Sequence, residues 1–494
     1  MRINLIAPAR KPEWGESFWD LKSLCHFTGM RAGCAPLALP TLAALTPSDI
    51  EVRIVDENVE PIDFNGEVDI VGITFFTSLA PRAYEVADEF RKRGVPVILG
   101  GIHASMLPDE AIQHADSVVI GEAEHLWAQV VNDARRRKLQ KFYRASAFPS
   151  LEDSPRPRWD LLKTEDYAFF TLQAGRGCPN GCNFCSVTVF NGHKHRQKSI
   201  EKVAKEIAFL QELDARKTIF FVDDNILADL VYAKRLFKVL ASMNVKWWCQ
   251  ASIDRLEDDR LLDLMYKGGC REVFVGFESI SQQSLSLMNK SKINRVEEYK
   301  NAIATIHEHG IAVFASFMLG SDADDQSTFE ATAQFIEETD IPFSMVNILT
   351  PVPGTALYKK FDSEERLMCD DWGKYDGESV CFRPKQLSVQ ELQAGRLMVL
   401  QSIYSYKSLY RRLRELWKCR VFVRNRYERT PLFSKSRVLF TIRSLFFPDV
   451  RRTWFILKSL WQPRATSIMA ILIGLNFHDY ASSLGRRDDG MGVR

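Results

Sequence analysis

The residues Gly175-Arg-Gly-Cys-Pro-Asn-Gly-Cys-Asn-Phe-Cys185 place three cysteines, Cys178, Cys182 and Cys185, close together on one short segment. Three thiolates on such a segment can bind one face of a metal centre, because glycine and proline permit the tight turns that the loop needs. A structural zinc site needs a fourth protein ligand, and His193 or His195 is near enough in sequence to supply it. An iron–sulfur centre and a Cys3His zinc site are therefore both open at this point.

The sequence that follows the cysteines alternates strand-like runs with helix-like stretches. Between Tyr167 and Leu387 the runs are FTLQAGR, TIFFVDD, WWCQASID, EVFVGFES, IAVFASFMLG and FSMVNILTPV. Six βα units predict a barrel or part of one, in which functional groups gather at the carboxyl ends of the strands. The cysteine loop follows the first run. Polar residues follow the later ones, namely Asp223-Asp224-Asn225, Gln250, Ser252, Glu278, Ser316 and the turn Pro351–Thr355.

The first part of the chain, Arg2 to about Asp133, shows a second alternation of short β-branched runs with amphipathic helical stretches. This pattern predicts parallel strands with helical crossovers, that is, a doubly wound (Rossmann-like) α/β domain. Such a sheet binds ligands beyond the carboxyl ends of its strands. The dinucleotide signature G-x-G-x-x-G is missing after the first strand. The candidate ligand contacts are Asp56, Asn58, Thr77, Ser78, Gly100, Gly101, His103, Gly121 and Glu122.

Composition sets the class of protein and its organisation. With 494 residues, 46% hydrophobic and 26% charged, the chain can form several cores and is neither disordered nor fibrous. Ten cysteines are too few for a disulfide scaffold, and the longest apolar run, residues 468–477, is about half the length of a membrane span. We therefore expect a cytoplasmic protein. The predicted parts are a first domain (1–146), a proline-rich linker (147–166), a barrel (167–387) and a helical C-terminal region (388–494).

The cysteine segment resembles the hallmark of the radical S-adenosylmethionine (SAM) superfamily, Cys-x3-Cys-x-aromatic-Cys, through Cys178, Cys182, Phe184 and Cys185. The resemblance implies that the three cysteines hold a [4Fe–4S] cluster and leave one iron open to SAM. It also implies a reductant such as flavodoxin or ferredoxin, and cleavage of SAM to methionine and a 5′-deoxyadenosyl radical. In such enzymes the cofactors carry the chemistry, while the protein positions them.

The same resemblance implies SAM contacts at the strand ends. Asp223, Asp224 and Asn225 match the positions that contact the SAM amino group, and Glu278 matches the position that contacts the ribose. Gln250, Ser252 and Ser316 are weaker SAM candidates, with a strand-end cap as the alternative role. The turn Pro351–Thr355 resembles the loop that closes the adenine side, and a rigid turn without a ligand is its alternative.

The first domain resembles the cobalamin-binding domain of one branch of this superfamily. The matching phrases are Gly100-Gly101-Ile102-His103 and Gly121-Glu122-Ala123-Glu124. The motif D-x-H-x-x-G is absent, so cobalamin would bind without a histidine as its lower ligand. We expect His103 to be held in its loop by a backbone hydrogen bond, or at most to lie near the tail of the cofactor. The alternative is a domain that kept the fold and lost the cofactor.

The C-terminal region is basic. Between Gln401 and Ala470 there are 16 Lys and Arg against 3 acidic residues, and residues 438–464 interleave these cations with aromatic and aliphatic side chains. This pattern is typical of a helix at a membrane interface, and it would place the protein peripherally on the inner face of a membrane. Plain helical packing on the barrel is the main alternative. Nucleic acid is not expected, because stacking platforms usually lie on sheets or grooves.

Three functions remain open. The whole layout resembles cobalamin-dependent radical SAM enzymes that methylate hopanoids or process other polycyclic molecules, which implies a C-methyltransferase acting on a hydrophobic or lipid substrate. A radical cyclase, oxidase or ring-rearranging enzyme would share the architecture without methyl transfer. A cobalamin carrier or sensor would lack catalysis. A methylthiotransferase is disfavoured, because no clear second cluster-binding set is formed by Cys25, Cys34, Cys249, Cys270, Cys369, Cys381 and Cys419.

Overall fold

The computed structural model describes residues 1–14, 17, 29–419, 421, 475 and 477–484. The strands are β1 (Arg2–Ala7), β2 (Ala32–Cys34), β3 (Glu51–Asp56), β4 (Ile70–Thr74), β5 (Val97–Gly100), β6 (Ser117–Ile120), β7 (Phe142–Arg144), β8 (Tyr167–Leu172), β9 (Gly175–Arg176), β10 (Arg196–Gln197), β11 (Thr218–Phe221), β12 (Trp247–Ala251), β13 (Cys270–Glu278), β14 (Ala312–Leu319) and β15 (Phe343–Ile348).

The α-helices of the first domain are α1 (Ala38–Leu45), α2 (Ala80–Lys92), α3 (Ile102–Met106), α4 (Pro108–Ala111) and α5 (Trp127–Arg135). The helices that follow are α6 (Val187–Phe190), α7 (Ile200–Asp214), α8 (Leu230–Met243), α9 (Asp259–Lys267), α10 (Gln282–Leu287), α11 (Tyr299–Glu308), α12 (Ser327–Glu338), α13 (Ala356–Ser363), α14 (Val389–Ile403) and α15 (Tyr406–Lys418).

The first sheet has the strand order β3-β1-β4-β5-β6-β7, and all its strands are parallel. Apolar clusters cover both faces, one around Phe90 and Val97 and the other around Leu5 and Trp127. The strand order reverses direction at β1, and such a switch point opens a ligand crevice at the carboxyl edge of the sheet. The predicted doubly wound domain is confirmed. The short strand β7 was not among the predicted runs.

The second sheet is a half-barrel of seven parallel strands in the order β15-β14-β13-β12-β11-β8-β2. Six of these strands are the runs predicted from the sequence. The seventh, β2, comes from the first part of the chain and pairs with β8 through Ala32↔Tyr167 and Cys34↔Phe169. Three residues, Ala-Gly-Cys, carry too little apolar pattern to predict a strand, so this link between the two sheets was missed.

The described part of the C-terminal region is helical and packs on the half-barrel. The Phe477 ring lies 5.7 Å from the Phe343 ring of β15, and Arg396 of α14 donates a 2.7 Å hydrogen bond to the Tyr480 hydroxyl. Arg412 of α15 is fully buried and donates to backbone carbonyls that include that of Pro342. The basic and aromatic segment 438–464 lies outside the described residues. Among those that are described, no helix combines the length and the hydropathy that crossing a membrane requires.

Candidate cluster and cofactor site

The cysteine loop leaves β8 through a backbone that requires glycine. Gly177 has φ +94°, and a Cβ there would lie 2.4 Å from the Lys194 carbonyl oxygen. The Cys178 amide donates to the Gly192 carbonyl at 3.3 Å, which closes the loop onto the β9–β10 hairpin. The three cysteines are free and partly exposed. The tight turns expected from glycine and proline thus form a defined loop that carries the three thiols.

Asp223 and Asp224 fix this loop by accepting hydrogen bonds from backbone amides that precede the first cysteine. Asp223 is buried and its carboxylate accepts hydrogen bonds from the amides of Ala174, at 2.9 Å, and Gly175. Asp224 accepts from the Gly177 amide at 2.7 Å and from the Asn191 side chain at 3.1 Å. Burial raises the pKa of Asp223 to about 7, although the two amides favour the ionised form. Both carboxylates thus position the cysteine loop, and their contact with SAM remains a prediction.

The donor set fits an iron–sulfur cluster held by three thiolates. Burial raises the pKa of each thiol, that of Cys185 to about 12, so a bound metal centre would have to displace their protons. The zinc alternative needs a histidine. His193 is exposed, and His195 Nδ1 hydrogen-bonds Gln197 at 3.0 Å. The buried His195 Nε2 has no hydrogen-bond partner among the described residues and lies against Gly175, where a Cβ would be 2.4 Å away. In the described part of the chain, no three His, Cys, Asp or Glu side chains form a group that could hold a single metal ion.

The other predicted SAM residues lie at neighbouring strand ends. Asn225 donates a 3.0 Å hydrogen bond to the Ser252 hydroxyl, so each of these two side chains is a hydrogen-bond partner of the other. Glu278 ends β13 with φ +65° and pairs with Lys290 at 2.5 Å. Phe184 is partly buried, and the Lys290 ammonium lies 6.0 Å from its ring centroid. Gln250 is half-buried at the end of β12, and Ser316 of β14 pairs in register with Gly276 of β13.

The turn after β15 joins the two domains. The Thr355 hydroxyl accepts from the Tyr358 amide at 3.1 Å and caps α13. Gly354 has φ +86°, and a Cβ there would lie 2.3 Å from Met106 Sδ in α3. This close approach fits the rigid-turn alternative, and closure over adenine remains a prediction.

The residues predicted to contact cobalamin separate into two groups. Asp56 is buried and accepts hydrogen bonds from Asn58 Nδ2 at 2.8 Å and from the Tyr167 hydroxyl of β8 at 3.0 Å, so Asp56 and Asn58 form part of the domain contact. The others lie at or beyond the carboxyl ends of β4, β5 and β6. Besides His103 and Glu122, they are Thr77, which is buried, half-buried Ser78, Gly100 at the end of β5, and Gly101 and Gly121, at φ +94° and φ +87°.

The expectation that a backbone hydrogen bond holds His103 is corrected, whereas a position of His103 near the tail of cobalamin remains a prediction. The His103 ring is fully buried against Trp372, 5.1 Å between centroids, and Nε2 lies 3.4 Å from a Glu110 carboxylate oxygen. Nδ1 has no hydrogen-bond partner among the described residues, so the expected backbone bond is not formed. Because Trp372 Nε1 also donates to Glu110 at 2.9 Å, this cluster ties the turn after the half-barrel to the first domain.

Glu122 lies between the two domains. Its side chain is 2% exposed and pairs with Arg176 of β9 at 2.5 Å and with Arg196 of β10, which donates to it at 2.9 Å. Glu124 also accepts from Arg176, at 2.8 Å. The carboxylate of Glu122 thus forms ion pairs with the two arginines that flank the cysteine loop. The predicted contact between Glu122 and cobalamin remains a prediction.

Sequence reasoning missed Arg176, Arg196, Lys290 and Trp372. Arg176 lies within the Gly-Arg-Gly-Cys segment that begins the cysteine loop. A positive charge at that position needs an acidic partner, and this requirement was the available signal. Lys290 lies in a polar stretch after α10 with no signal of its own.

Of the remaining cysteines, Cys249, Cys270 and Cys381 are buried, Cys34 is exposed and Cys25 lies outside the described residues.

Three family models match the chain. Residues 172–336 match the radical SAM superfamily, residues 32–131 a B12-binding domain, and residues 355–483 a domain of unknown function. The chain is 32% identical over 388 residues to bacteriochlorophyllide d C-12(1)-methyltransferase of Chlorobaculum tepidum, covering 76% of this chain and 84% of that one. It is 28% identical over 348 residues to hopanoid C-2 methylase of Rhodopseudomonas palustris, covering 68% and 66%.

A solved structure shares the fold. The radical SAM methyltransferase TsrM of Kitasatospora setae, with cobalamin and a [4Fe–4S] cluster bound, has a TM-score of 0.62 at 14% identity and covers 98% of this chain and 99% of its own. The site and fold define a radical SAM enzyme with an added B12-binding domain. The chain belongs to the cobalamin-dependent radical SAM family, whose cofactors are a [4Fe–4S] cluster, SAM and cobalamin.

Proposed function

We propose that the protein is a C-methyltransferase that replaces hydrogen by methyl on an unactivated carbon of a hydrophobic polycyclic substrate, with SAM as the source of the methyl group. The observation that carries this proposal is the direct tie between the cysteine loop and the B12-binding domain through Arg176 and Glu122, 2.5 Å apart. A cluster loop fixed against the corrinoid domain suits a reaction that needs both cofactors at one substrate.

The substrate class is inferred from the relatives and from exposed apolar side chains. The relatives named above act on a bacteriochlorophyllide and on a hopanoid, and both are large, mainly apolar ring systems. Val189, directly after the cysteine loop, is 46% exposed, and Phe76, at the end of β4, is 64% exposed. Binding sites for apolar ligands are lined mainly by apolar side chains, so we take these two positions as candidate substrate contacts. We rank a tetrapyrrole before a hopanoid or other lipid, because the relative with the tetrapyrrole substrate has the higher identity.

In this proposal the side chains of the protein bind the cluster and orient the loop that carries it. Cys178, Cys182 and Cys185 would bind the cluster, and Asp223 and Asp224 fix the loop that carries them. When bound, the cluster supplies the electron that cleaves SAM, and cobalamin supplies the methyl carrier. An external low-potential protein such as flavodoxin or ferredoxin is the proposed reductant. We assign no side chain as a proton donor or acceptor.

The proposal includes peripheral contact with a membrane through the basic C-terminal segment, since apolar ring systems partition into lipid. The described helices α14 and α15 pack on the half-barrel and support ordinary helical packing for their part of this region. Flotation of the full chain with vesicles that contain anionic lipid tests the contact. Recovery of the protein in the lipid-free fraction alone would contradict it.

The function is tested by anaerobic reconstitution with iron, sulfide and hydroxocobalamin, followed by SAM, reductant and either a chlorophyllide-type tetrapyrrole or a hopanoid extract. We expect 5′-deoxyadenosine, S-adenosylhomocysteine and one product heavier by one methylene. Cys182→Ala should abolish all three, whereas Cys249→Ala, at a buried cysteine outside the Cys178–Cys185 segment, should retain them. Deoxyadenosine without S-adenosylhomocysteine would indicate the cyclase or oxidase class instead. Cobalamin binding without SAM cleavage would indicate a carrier.

A further inference from the structure

Lys290 is a buried ammonium group beside the cysteine loop. The residue is 9% exposed, and Nζ lies 2.5 Å from Glu278 Oε1 and donates to the Gly276 carbonyl at 2.9 Å. Gly276 is required for this arrangement, because a Cβ there would lie 2.2 Å from Glu278 Oε1 and 2.8 Å from Lys290 Nζ. The absence of a side chain at position 276 therefore leaves room for the Lys290–Glu278 ion pair.

The segment that carries Lys290 is attached directly to the cysteine loop. The Asn289 side chain donates to the Gly181 carbonyl at 2.6 Å, and the Asn183 amide donates to the Met288 carbonyl at 3.2 Å. The Asn183 side chain also donates to the Leu287 carbonyl at 2.7 Å. Three hydrogen bonds thus fix the position of the Lys290 backbone relative to the cluster-binding thiols.

The ammonium group lies beside the segment that carries the thiols. Lys290 Nζ is 6.0 Å from the ring centroid of Phe184, which lies between Cys182 and Cys185 in the sequence. This distance and the three hydrogen bonds place the positive charge of Lys290 at the cysteine segment.

We propose that Lys290 is a positioning residue for the cluster, and that its ammonium group raises the cluster's reduction potential. Reduction adds one electron, and hence one negative charge, to a site that already holds three thiolates. A fixed positive charge next to those thiolates stabilises the reduced form more than the oxidised form, and charge near a cluster is one of the factors that set its potential. Glu278 keeps Lys290 in place and weakens its field. The electron comes from the external reductant.

The test is the midpoint potential of the cluster in the reconstituted full chain, measured without SAM by a redox titration followed by electron paramagnetic resonance. Lys290→Met should lower the potential, and Glu278→Gln should raise it. Lys290→Arg should restore most of the wild-type value. Lys292→Met removes an exposed lysine two residues away and should leave the potential unchanged, because solvent screens that charge.

Shifts of the same sign in Lys290→Met and Glu278→Gln would overturn the proposal, as would equal shifts in Lys290→Met and Lys292→Met. If Lys290→Met fails to hold a cluster, Glu278→Gln decides: a raised potential supports the proposal, and an unchanged or lowered one overturns it. The absence of SAM separates this role from any contact between either side chain and SAM. Because methyl transfer is not measured, failure here leaves the proposed function to its own test.

Discussion

Arg176 and Glu122 join the two cofactor domains, with Arg176 Nη1 2.5 Å from Glu122 Oε2. Arg176 lies two residues before Cys178, and Glu122 lies in the loop after β6 at the carboxyl edge of the first sheet. Arg196 shares the same carboxylate. The geometry of the cysteine loop and that of the B12-binding domain are therefore linked through the buried Glu122, with Glu124 as a second acceptor for Arg176.

Glu122→Gln should destabilise the fold by about 3 kcal/mol, because it leaves two mostly buried guanidinium groups without their shared counter-charge. Glu124→Gln is the matched control and should cost about 1 kcal/mol, since Arg176 keeps Glu122. Chemical unfolding of both variants measures the difference. Equal losses in the two variants would show that Glu122 carries no special share of the domain contact.

Asp224→Ala should reduce the iron bound after anaerobic reconstitution, several-fold relative to wild type, because the Gly177 amide and the Asn191 side chain lose their acceptor and the loop before Cys178 is released. Asp229→Ala serves as the control. Asp229 caps α8 through the amides of Val231 and Tyr232, so its loss should lower stability but leave iron content near wild type. Wild-type iron content in Asp224→Ala would contradict the positioning role.

Gly101→Ala should impair folding of the first domain. The residue has φ +94° and ψ −175°, which is a glycine-only region, and its Cβ would lie 2.8 Å from the Phe75 carbonyl oxygen. Gly121→Ala is the comparison, because φ is +87° but no atom lies within 4 Å of the added Cβ. We expect a cost of about 1–2 kcal/mol for Gly121→Ala and a clearly larger loss for Gly101→Ala, measured by thermal unfolding. The reverse order would contradict the geometry.

His307 should make the protein sensitive to acid. Burial lowers the pKa of this histidine to about 3, so it stays neutral in the folded chain while the unfolded chain binds a proton near its ordinary pKa of 6.5. Its contribution to stability is complete above about pH 6.5 and is lost as the pH falls toward 3, by up to about 1.4 kcal/mol per pH unit. His307→Leu should flatten the dependence of the unfolding free energy between pH 6.5 and 5. An unchanged slope would show that other groups dominate it.

The sequence predicted the architecture well, for physical reasons. Buried parallel strands are continuous apolar runs, so Thr218–Phe221 and Ala312–Leu319 were recognisable without any partner. Strand β2 was not, since a three-residue edge strand takes its stability from pairing with β8 and not from its own pattern. A strand's existence is a local property, whereas an edge pairing is a tertiary one.

At the site, the sequence pointed to individual polar residues but not to their hydrogen-bond and ion-pair partners. Asp223 and Glu122 were predicted as ligand contacts, and the structure shows them bonded to the backbone of the cysteine loop and to Arg176 and Arg196. Glu278 and Lys290 are twelve positions apart, and the fold of the segment between them, which includes α10, brings them together. Ion pairs between residues that are far apart in the sequence produce no recognisable motif or spacing, so only the structure reveals them.

We propose that Cys178, Cys182 and Cys185 hold a cluster with one iron open to SAM. The most direct measurement is the metal content and the electron paramagnetic resonance spectrum of the reduced, anaerobically reconstituted chain, with and without SAM. We expect about four iron and four sulfide per chain, with a spectrum that SAM changes, and loss of both the cluster and the spectrum in Cys182→Ala. Bound zinc in place of iron, or SAM cleavage that survives in Cys182→Ala, would contradict it.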